Sequence, residues 1–86
     1  MYDNAPFRTR YKELEEKEGL SLTEVAARCG WLKVDEDGKE KCDSSRVGRQ
    51  LGLTKEGGKY RTEVNADVAK VFCDALHIDY TDIPDL

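Results

Sequence analysis

Apolar residues recur at helical spacing in four segments of the chain, which are separated by stretches rich in glycine and charged residues. In the first segment, Phe7, Tyr11 and Leu14 occupy positions i, i+4 and i+7, with mostly charged residues between them. This pattern predicts an amphipathic helix from Phe7 to Glu18 that ends at Gly19.

The second segment carries a helix start signal and a helix stop signal. Ser21 and Glu24 have the S-x-x-E spacing of a capping box, which satisfies two backbone N–H groups where a helix begins. The predicted helix runs from Leu22 to Cys29. Ala26 is small enough for a second helix to cross close to the backbone, and Gly30 stands where the chain must turn sharply. These features are typical of the first helix and turn of a helix-turn-helix unit.

A third helix is predicted from Ser44 to Leu51. Asp43 offers its N-cap, and Gly52 is its stop signal. Val47 and Leu51 form the buried i, i+4 pair, so the polar side chains of this helix face away from the core.

The fourth helix is predicted from Ala66 to Leu76, with Asn65 as its N-cap. Its apolar residues form a wide face, which predicts a helix that packs deeply against the others. Thr81 is expected to cap one last helical turn before Pro84.

About a dozen residues separate the second helix from the third, whereas a tight helix-turn-helix uses three or four. The Asp37-Gly38 pair in this stretch favours a tight turn. We therefore expect residues 34–42 to form an inserted exposed loop, flexible because nearly all its residues are charged, or a short hairpin. Trp31 is expected to pack on the core at its start.

A second turn signal, Gly57-Gly58, lies between two arms that tolerate strand structure. Residues 53–64 are therefore expected to form a small β-hairpin wing, with Thr54 to Thr62 as the hairpin itself, or else a flexible loop.

The composition predicts one small domain over residues 1–86. Hydrophobic residues make up 38% of the chain and charged residues 37%, and no apolar run is long enough to span a membrane. The first residues lack the pattern of a secretory signal, and three cysteines are an odd number for a disulfide framework. We expect a cytoplasmic protein.

The net charge of −4 argues against a nucleic-acid partner, but the charge is unevenly distributed. Residues 39–61 contain seven basic and three acidic side chains, whereas residues 74–86 contain four aspartates and no lysine or arginine. A basic middle between acidic ends is compatible with DNA binding by one segregated face.

Two groups of side chains have the chemistry for duplex DNA. Arginine can donate two hydrogen bonds to guanine, glutamine pairs with adenine, and serine suits a base or a phosphate at a helix N-terminus. The candidate base readers on the third helix are Ser44, Ser45, Arg46, Arg49 and Gln50. The candidate contacts to the DNA backbone or minor groove are Lys55, Lys59, Tyr60 and Arg61. A solvated basic surface is the alternative for both groups, and it is the favoured interpretation of the cluster Arg8, Arg10 and Lys12.

Metal binding and catalysis have weaker support. Cys73 and His77 have ligand-competent i, i+4 spacing, and Cys29 and Cys42 could complete a four-ligand zinc site. The overall spacing matches no standard zinc pattern, so Cys29 and Cys73 are interpreted as core thiols and no metal or other cofactor is expected. The single histidine and the lack of a phosphate-binding lysine loop argue against an enzyme.

The order of these elements resembles the lambda repressor-like (Cro/repressor, XRE-type) helix-turn-helix family. The resemblance is carried by residues 20–30, 44–53 and 75–79, together with Asp82 and Ile83. More narrowly, the run from Asp43 to Leu53 is similar to small helix-turn-helix DNA-binding and immunity repressor proteins encoded by phages of actinobacteria. The resemblance implies an all-α bundle of four to five helices whose third helix enters the major groove. The extended turn between helices 2 and 3 departs from the family pattern.

The first hypothesis is therefore a sequence-specific regulator of transcription, such as a phage repressor in a bacterial host cell. Its partner is double-stranded DNA, bound by a monomer or a homodimer, and no membrane or small-molecule substrate is expected. The second hypothesis is a protein-interaction domain on the same scaffold that uses the acidic flanks or the inserted loop. An excisionase-like architectural factor is a further form of DNA binding that the sequence does not separate from the first.

Overall fold

The computed structural model describes residues 1–84, and four α-helices form its body. They are α1 (Ala5–Glu18), α2 (Leu22–Cys29), α3 (Ser44–Leu51) and α4 (Ala66–Leu76). The predicted bounds of α2, α3 and α4 are confirmed, and α1 begins two residues earlier than predicted. Pro6 lies in its first turn, where the fixed φ of proline suits a helix and the missing N–H costs no hydrogen bond.

Side-chain caps explain why three helices begin where the sequence predicts. The side chains of Ser21, Asp43 and Asn65 each accept a hydrogen bond from the backbone N–H three residues later, at 3.2, 3.1 and 2.9 Å. These bonds depend only on neighbouring residues, so the sequence pattern suffices to place them.

The last turn of the chain differs from the prediction. It is a 3₁₀ helix (Tyr80–Asp82) whose N-cap is Asp79, and Thr81 is not the cap. The Asp79 carboxylate accepts hydrogen bonds from the backbone N–H of Thr81 at 3.0 Å and from its hydroxyl at 2.8 Å. The side chain of Asp79, two residues before Thr81, therefore caps this turn in place of Thr81. The last acidic residue of the predicted acidic end, Asp85, lies outside the described residues.

Two small antiparallel sheets accompany the helices. One pairs β1 (Tyr2–Asp3) with β4 (Glu63–Val64), and the other pairs β2 (Leu32–Val34) with β3 (Glu40–Cys42). The first sheet ties the start of the chain to the segment before α4. The second is a hairpin inserted between α2 and α3.

The inserted hairpin corrects the expectation of a flexible loop over residues 34–42. That stretch contains the end of β2, a tight turn and the whole of β3. The Asp35 carboxylate accepts hydrogen bonds from the N–H groups of Asp37 and Lys39 at 3.0 and 2.9 Å. Hydrogen bonds within the turn therefore order this charged stretch, although it buries little apolar surface. At the base of the hairpin, the N–H of Asp43 donates to the carbonyl of Trp31 at 2.9 Å.

The wing predicted over residues 53–64 is present only as a single bridge. Glu56 and Lys59 exchange backbone hydrogen bonds of 2.7 and 3.2 Å around Gly57 and Gly58, both of which have positive φ. The arms do not continue as a ladder, because the second arm enters β4 and pairs with β1 instead. Residues 53–61 are called the basic turn below.

The core is formed by apolar side chains from all four helices. The ring of Phe72 lies 5.5 Å from that of Phe7 and 5.4 Å from that of Trp31, so α1, α4 and the start of the hairpin meet there. Trp31 is only 8% exposed, which confirms its predicted core position. Ala26 is fully buried, as a close helix crossing requires.

Gly48 lies where α3 contacts both α2 and the basic turn. A Cβ added to Gly48 would lie 3.6 Å from Leu22 Cδ1, which is ordinary van der Waals contact, and 3.2 Å from Thr54 Oγ1, which is tight. A larger residue there would require the Thr54 side chain to shift by a few tenths of an ångström. Among residues 1–84, no helix is long and apolar enough to cross a membrane.

Candidate nucleic-acid interface

The five candidate readers lie on the side of α3 that faces away from the core. Val47, Gly48 and Leu51 are buried, Ser45 and Arg46 are exposed, and the remaining three are half-buried. Helix α3 contains no acidic residue. The predicted division between a core face and a polar face is therefore present.

Arg46 is held over an aromatic ring. Its guanidinium carbon lies 4.1 Å from the centre of the Trp31 ring. Arg49 has neither a ring contact nor an ion pair within residues 1–84. The two arginines thus share one helix but differ in how firmly they are held.

The N-terminus of α3 is already occupied by a carboxylate. Asp43 Oδ1 accepts the Arg46 N–H and lies 3.9 Å from the Lys33 ammonium. A phosphate at this helix end would meet that negative charge, so the anion-binding role considered for Ser44 and Ser45 is disfavoured. Their hydroxyls remain suited to base edges or to phosphates beside the helix.

The basic turn presents three of its four candidate residues to solvent. Lys55, Lys59 and Tyr60 are exposed, and the Lys55 ammonium lies 5.7 Å from the centre of the Tyr60 ring. Arg61 differs, because its Nη2 lies 2.6 Å from Glu56 Oε2. Its Nε is buried and has no hydrogen-bond partner within residues 1–84. The charge of Arg61 is therefore paired with a carboxylate at the protein surface.

A buried asparagine fixes the basic turn against α3. Asn4 is 1% exposed, and its Nδ2 donates to the carbonyls of Gln50 at 3.1 Å and Arg61 at 2.7 Å. Its Oδ1 accepts a hydrogen bond from Arg8 at 3.0 Å. Both polar atoms of this side chain therefore form hydrogen bonds, so its burial leaves neither of them unpaired. The sequence pattern contains no signal for this role of Asn4, because its partners lie 46 and 57 residues away along the chain.

The end of α3 and the basic turn can approach this closely only because residue 52 is a glycine. A Cβ at this residue would lie 2.5 Å from the Arg61 carbonyl oxygen and 2.9 Å from Arg8 Nη1, and its φ is +77°. The end of α3 and the return of the basic turn are therefore in direct contact. Helix α3 and the basic turn therefore form one continuous surface.

The basic cluster on α1 is largely used inside the protein. Arg8 Nη1 also donates to the Leu51 carbonyl at 2.9 Å, at the C-terminal end of α3. Arg10 Nε donates to the Leu76 carbonyl at 3.1 Å, at the end of α4. The expectation of a merely solvated surface is wrong for both, because they bind helix-end carbonyls. Lys12 remains exposed and lines an open groove of about 490 Å³ beside Tyr60.

The cysteines and the histidine do not form a metal centre. Within residues 1–84, no group of three or more His, Cys, Asp or Glu side chains could hold a metal ion. Cys29 and Cys42 are half-buried and Cys73 is buried, all as free thiols. Burial raises the pKa of Cys29 to about 11 despite the opposing charge of Arg46, and burial also raises the pKa of Cys73. Both thiols are therefore protonated at neutral pH.

Comparison of the chain with models of protein families, with curated proteins and with solved structures gives no match.

Proposed function

We propose that this chain binds duplex DNA in a sequence-specific manner by placing the exposed face of α3 in the major groove. The observation that carries the proposal is a short helix without carboxylates whose arginines point outward while Val47 and Leu51 anchor it in the core. The family resemblance of residues 20–30 and 44–53 supports a lambda repressor-like helix-turn-helix. On this basis, we propose a phage-type regulator of transcription as its biological role.

The dimensions of α3 suit this task. An α-helix with its side chains is about 10–12 Å in diameter, which fits a major groove about 12 Å wide. The eight residues of α3 make a helix about 12 Å long. Arg46 and Arg49 can each bind guanine O6 and N7, and Gln50 can bind adenine. Since so short a helix reaches few base pairs, two copies on adjacent half-sites would lengthen the sequence that is read.

The basic turn supplies backbone contacts. Lys55 and Lys59 carry charges suited to phosphates, and Tyr60 is 55% exposed beside them. Asn4 and Gly52 hold this turn against the end of α3. When α3 lies in the groove, the turn therefore lies beside the same duplex, where phosphate contacts fix the register of the reading helix.

An NMR titration of the ¹⁵N-labelled chain with a random duplex, at low and at moderate salt, tests this proposal. Shifts are expected at residues 44–50 and at the basic turn, and they should weaken as salt rises. Residues 13–18 of α1, which carry four glutamates, serve as the internal control. The absence of shifts at low salt, or shifts confined to other surfaces, contradicts the proposal.

The inserted hairpin supports a second candidate, a protein-interaction domain. Leu32 and Val34 are 54% and 67% exposed and lie on one face of β2. Residues 32–42 carry four carboxylates and three lysines, so the hairpin lacks the basic surface that DNA would favour. A photo-crosslinking residue placed at position 34, compared with one at Glu16, tests this role in cells. A protein crosslinked only from position 34, by a chain that fails to shift with DNA, favours this candidate.

A further inference from the structure

We infer that Trp31 positions Arg46 as a reader of guanine, so that Arg46 specifies one base pair of the site more strictly than Arg49 does. This inference rests on the proposed function, since it assigns the base that the α3 face recognises. It adds Trp31, a residue outside all four helices, to the specificity of the interface.

Trp31 is a rigid platform. Its N–H donates to the Ala26 carbonyl at 2.9 Å, and its own carbonyl accepts the Asp43 N–H at 2.9 Å. Its ring also packs 5.4 Å from that of Phe72 in the core. Backbone and side chain are thus fixed to α2, α4 and the start of α3. The inserted hairpin begins at this platform and returns to it.

The stack leaves the hydrogen-bonding edge of Arg46 free. A guanidinium is planar, and its N–H groups point outward within that plane. The guanidinium carbon of Arg46 lies over the Trp31 ring, 4.1 Å from its centre. A guanidinium in contact with a ring face keeps its in-plane N–H groups for a ligand. It forms no ion pair within residues 1–84, and its side chain is exposed. Paired in-plane N–H donors are what guanine O6 and N7 accept.

Holding the side chain in advance favours selectivity. A free arginine loses rotamer freedom when it binds, and a stacked one has already lost much of it. A fixed guanidinium also adapts less well to another base. Arg49 lacks such a platform and can adjust to different bases, so it serves as the matched comparison on the same helix.

Enrichment of bound sequences from a randomised duplex library, with the wild type and three variants, tests the inference. Lysine keeps the charge of arginine but has neither the planar face nor the paired donors. For Arg46→Lys we expect the guanine preference at one position of the enriched site to fall roughly 5- to 150-fold. For Arg49→Lys we expect a smaller and broader loss. Because the charge is retained, affinity for non-specific DNA should fall less than the guanine preference does in both variants.

Variants of Trp31 test its positioning role. Trp31→Leu should lose the same guanine preference as Arg46→Lys, and Trp31→Phe should restore part of it because a ring is again available for stacking. Trp31 is the only tryptophan of the chain, so Arg46→Lys should also change its fluorescence in the absence of DNA. Thermal melting identifies any variant that does not fold. If Trp31→Leu unfolds, Arg46→Lys and Trp31→Phe decide the question.

The outcomes separate the two proposals. If the wild type enriches no sequence, the proposed function fails and this inference fails with it. If the wild type enriches a site and Arg46→Lys enriches the same site with the same guanine, the inference alone is overturned. Equal losses of guanine preference for Arg46→Lys and Arg49→Lys also overturn it.

Discussion

Arginines of α1 and α3 have opposite uses in this molecule. Arg8 and Arg10 on α1 turn inward and donate to the carbonyls that end α3 and α4. Arg46 and Arg49 on α3 point away from the core, and neither has a carboxylate partner within residues 1–84. Two basic clusters that look alike in the sequence therefore differ in what the fold does with them.

The difference shows how a small acidic protein can keep a basic face. A helix C-terminus carries a partial negative charge, and its last carbonyls lack partners within the helix. Arg28 on α2 also binds such a carbonyl, that of Ala75 at 2.9 Å. Each of these arginines therefore has part of its guanidinium bound to the backbone of a neighbouring helix end. Basic side chains for which residues 1–84 show no such carbonyl contact include Arg46 and Arg49 of α3, Lys12, and the lysines of the basic turn.

The largest expected effect is at the junction where Arg8 of α1 meets the end of α3 and the basic turn. Gly52→Ala should lower the free energy of unfolding by about 3 kcal/mol or more, because it adds a backbone collision to a left-handed φ. Gly30→Ala is the matched control, since Gly30 has a φ of +71° and nothing lies within 4 Å of its added Cβ. That variant should lose only about 1–2 kcal/mol. Urea unfolding of both proteins checks the difference, and equal losses would show that the contact with Arg61 is unimportant.

The next prediction compares Arg8 of α1 with Arg49 of α3. Arg8→Met should cost about 2 kcal/mol of stability, because a charged donor with two acceptors is removed from a half-buried junction. Arg49→Met should change stability by less than about 0.5 kcal/mol. It should instead cost about 1–3 kcal/mol of binding to the enriched site. Chemical unfolding and fluorescence anisotropy measure the two quantities, and a stable Arg8→Met protein would contradict the comparison.

The sequence predicted the parts of this fold that depend on neighbouring residues. The caps at Ser21, Asp43 and Asn65 each connect positions three residues apart, so the bounds of their helices could be read from the pattern. The outward face of α3 followed from the buried positions of Val47 and Leu51.

The parts that the sequence did not predict depend on distant contacts. In the sequence, Asn4 is simply a polar residue before a helix. No neighbouring residue indicates that its side chain donates to the carbonyls of Gln50 and Arg61. The wing was expected to be longer because pairing of Val64 with Tyr2 could not be foreseen from the local pattern. The pairing of Arg46 with Trp31, across an insertion of a dozen residues, likewise required the fold.

A smaller effect extends the comparison to the basic turn. The Lys59 ammonium forms no ion pair or hydrogen bond within residues 1–84, whereas Arg61 is paired with Glu56. Lys59→Gln should lower the slope of log affinity against log salt by about 0.9, as the loss of one phosphate contact does. Arg61→Gln should lower that slope by less. Anisotropy titrations at several salt concentrations measure both slopes, and a larger loss for Arg61→Gln would show that the Glu56 pair opens when DNA binds.

The smallest expected effect concerns Asp35, whose carboxylate accepts hydrogen bonds within its own turn. Backbone hydrogen bonding from Lys39, with contributions from Lys41 and Asp37, lowers the pKa of Asp35 below its usual value. A carboxyl whose pKa is lower in the folded state stabilises that state above its unfolded pKa, and the contribution is lost as pH falls through the folded pKa. Asp35→Asn should therefore melt at a slightly lower temperature than the wild type at pH 7, and the difference should disappear under strongly acidic conditions. Because Asp35 lies in the hairpin turn and not on α3, its replacement should leave the affinity for DNA at neutral pH unchanged. A change in that affinity would place the hairpin within the DNA interface. Asp35 would then contribute both to the fold and to binding, contrary to the comparison between the arginines of α1 and α3.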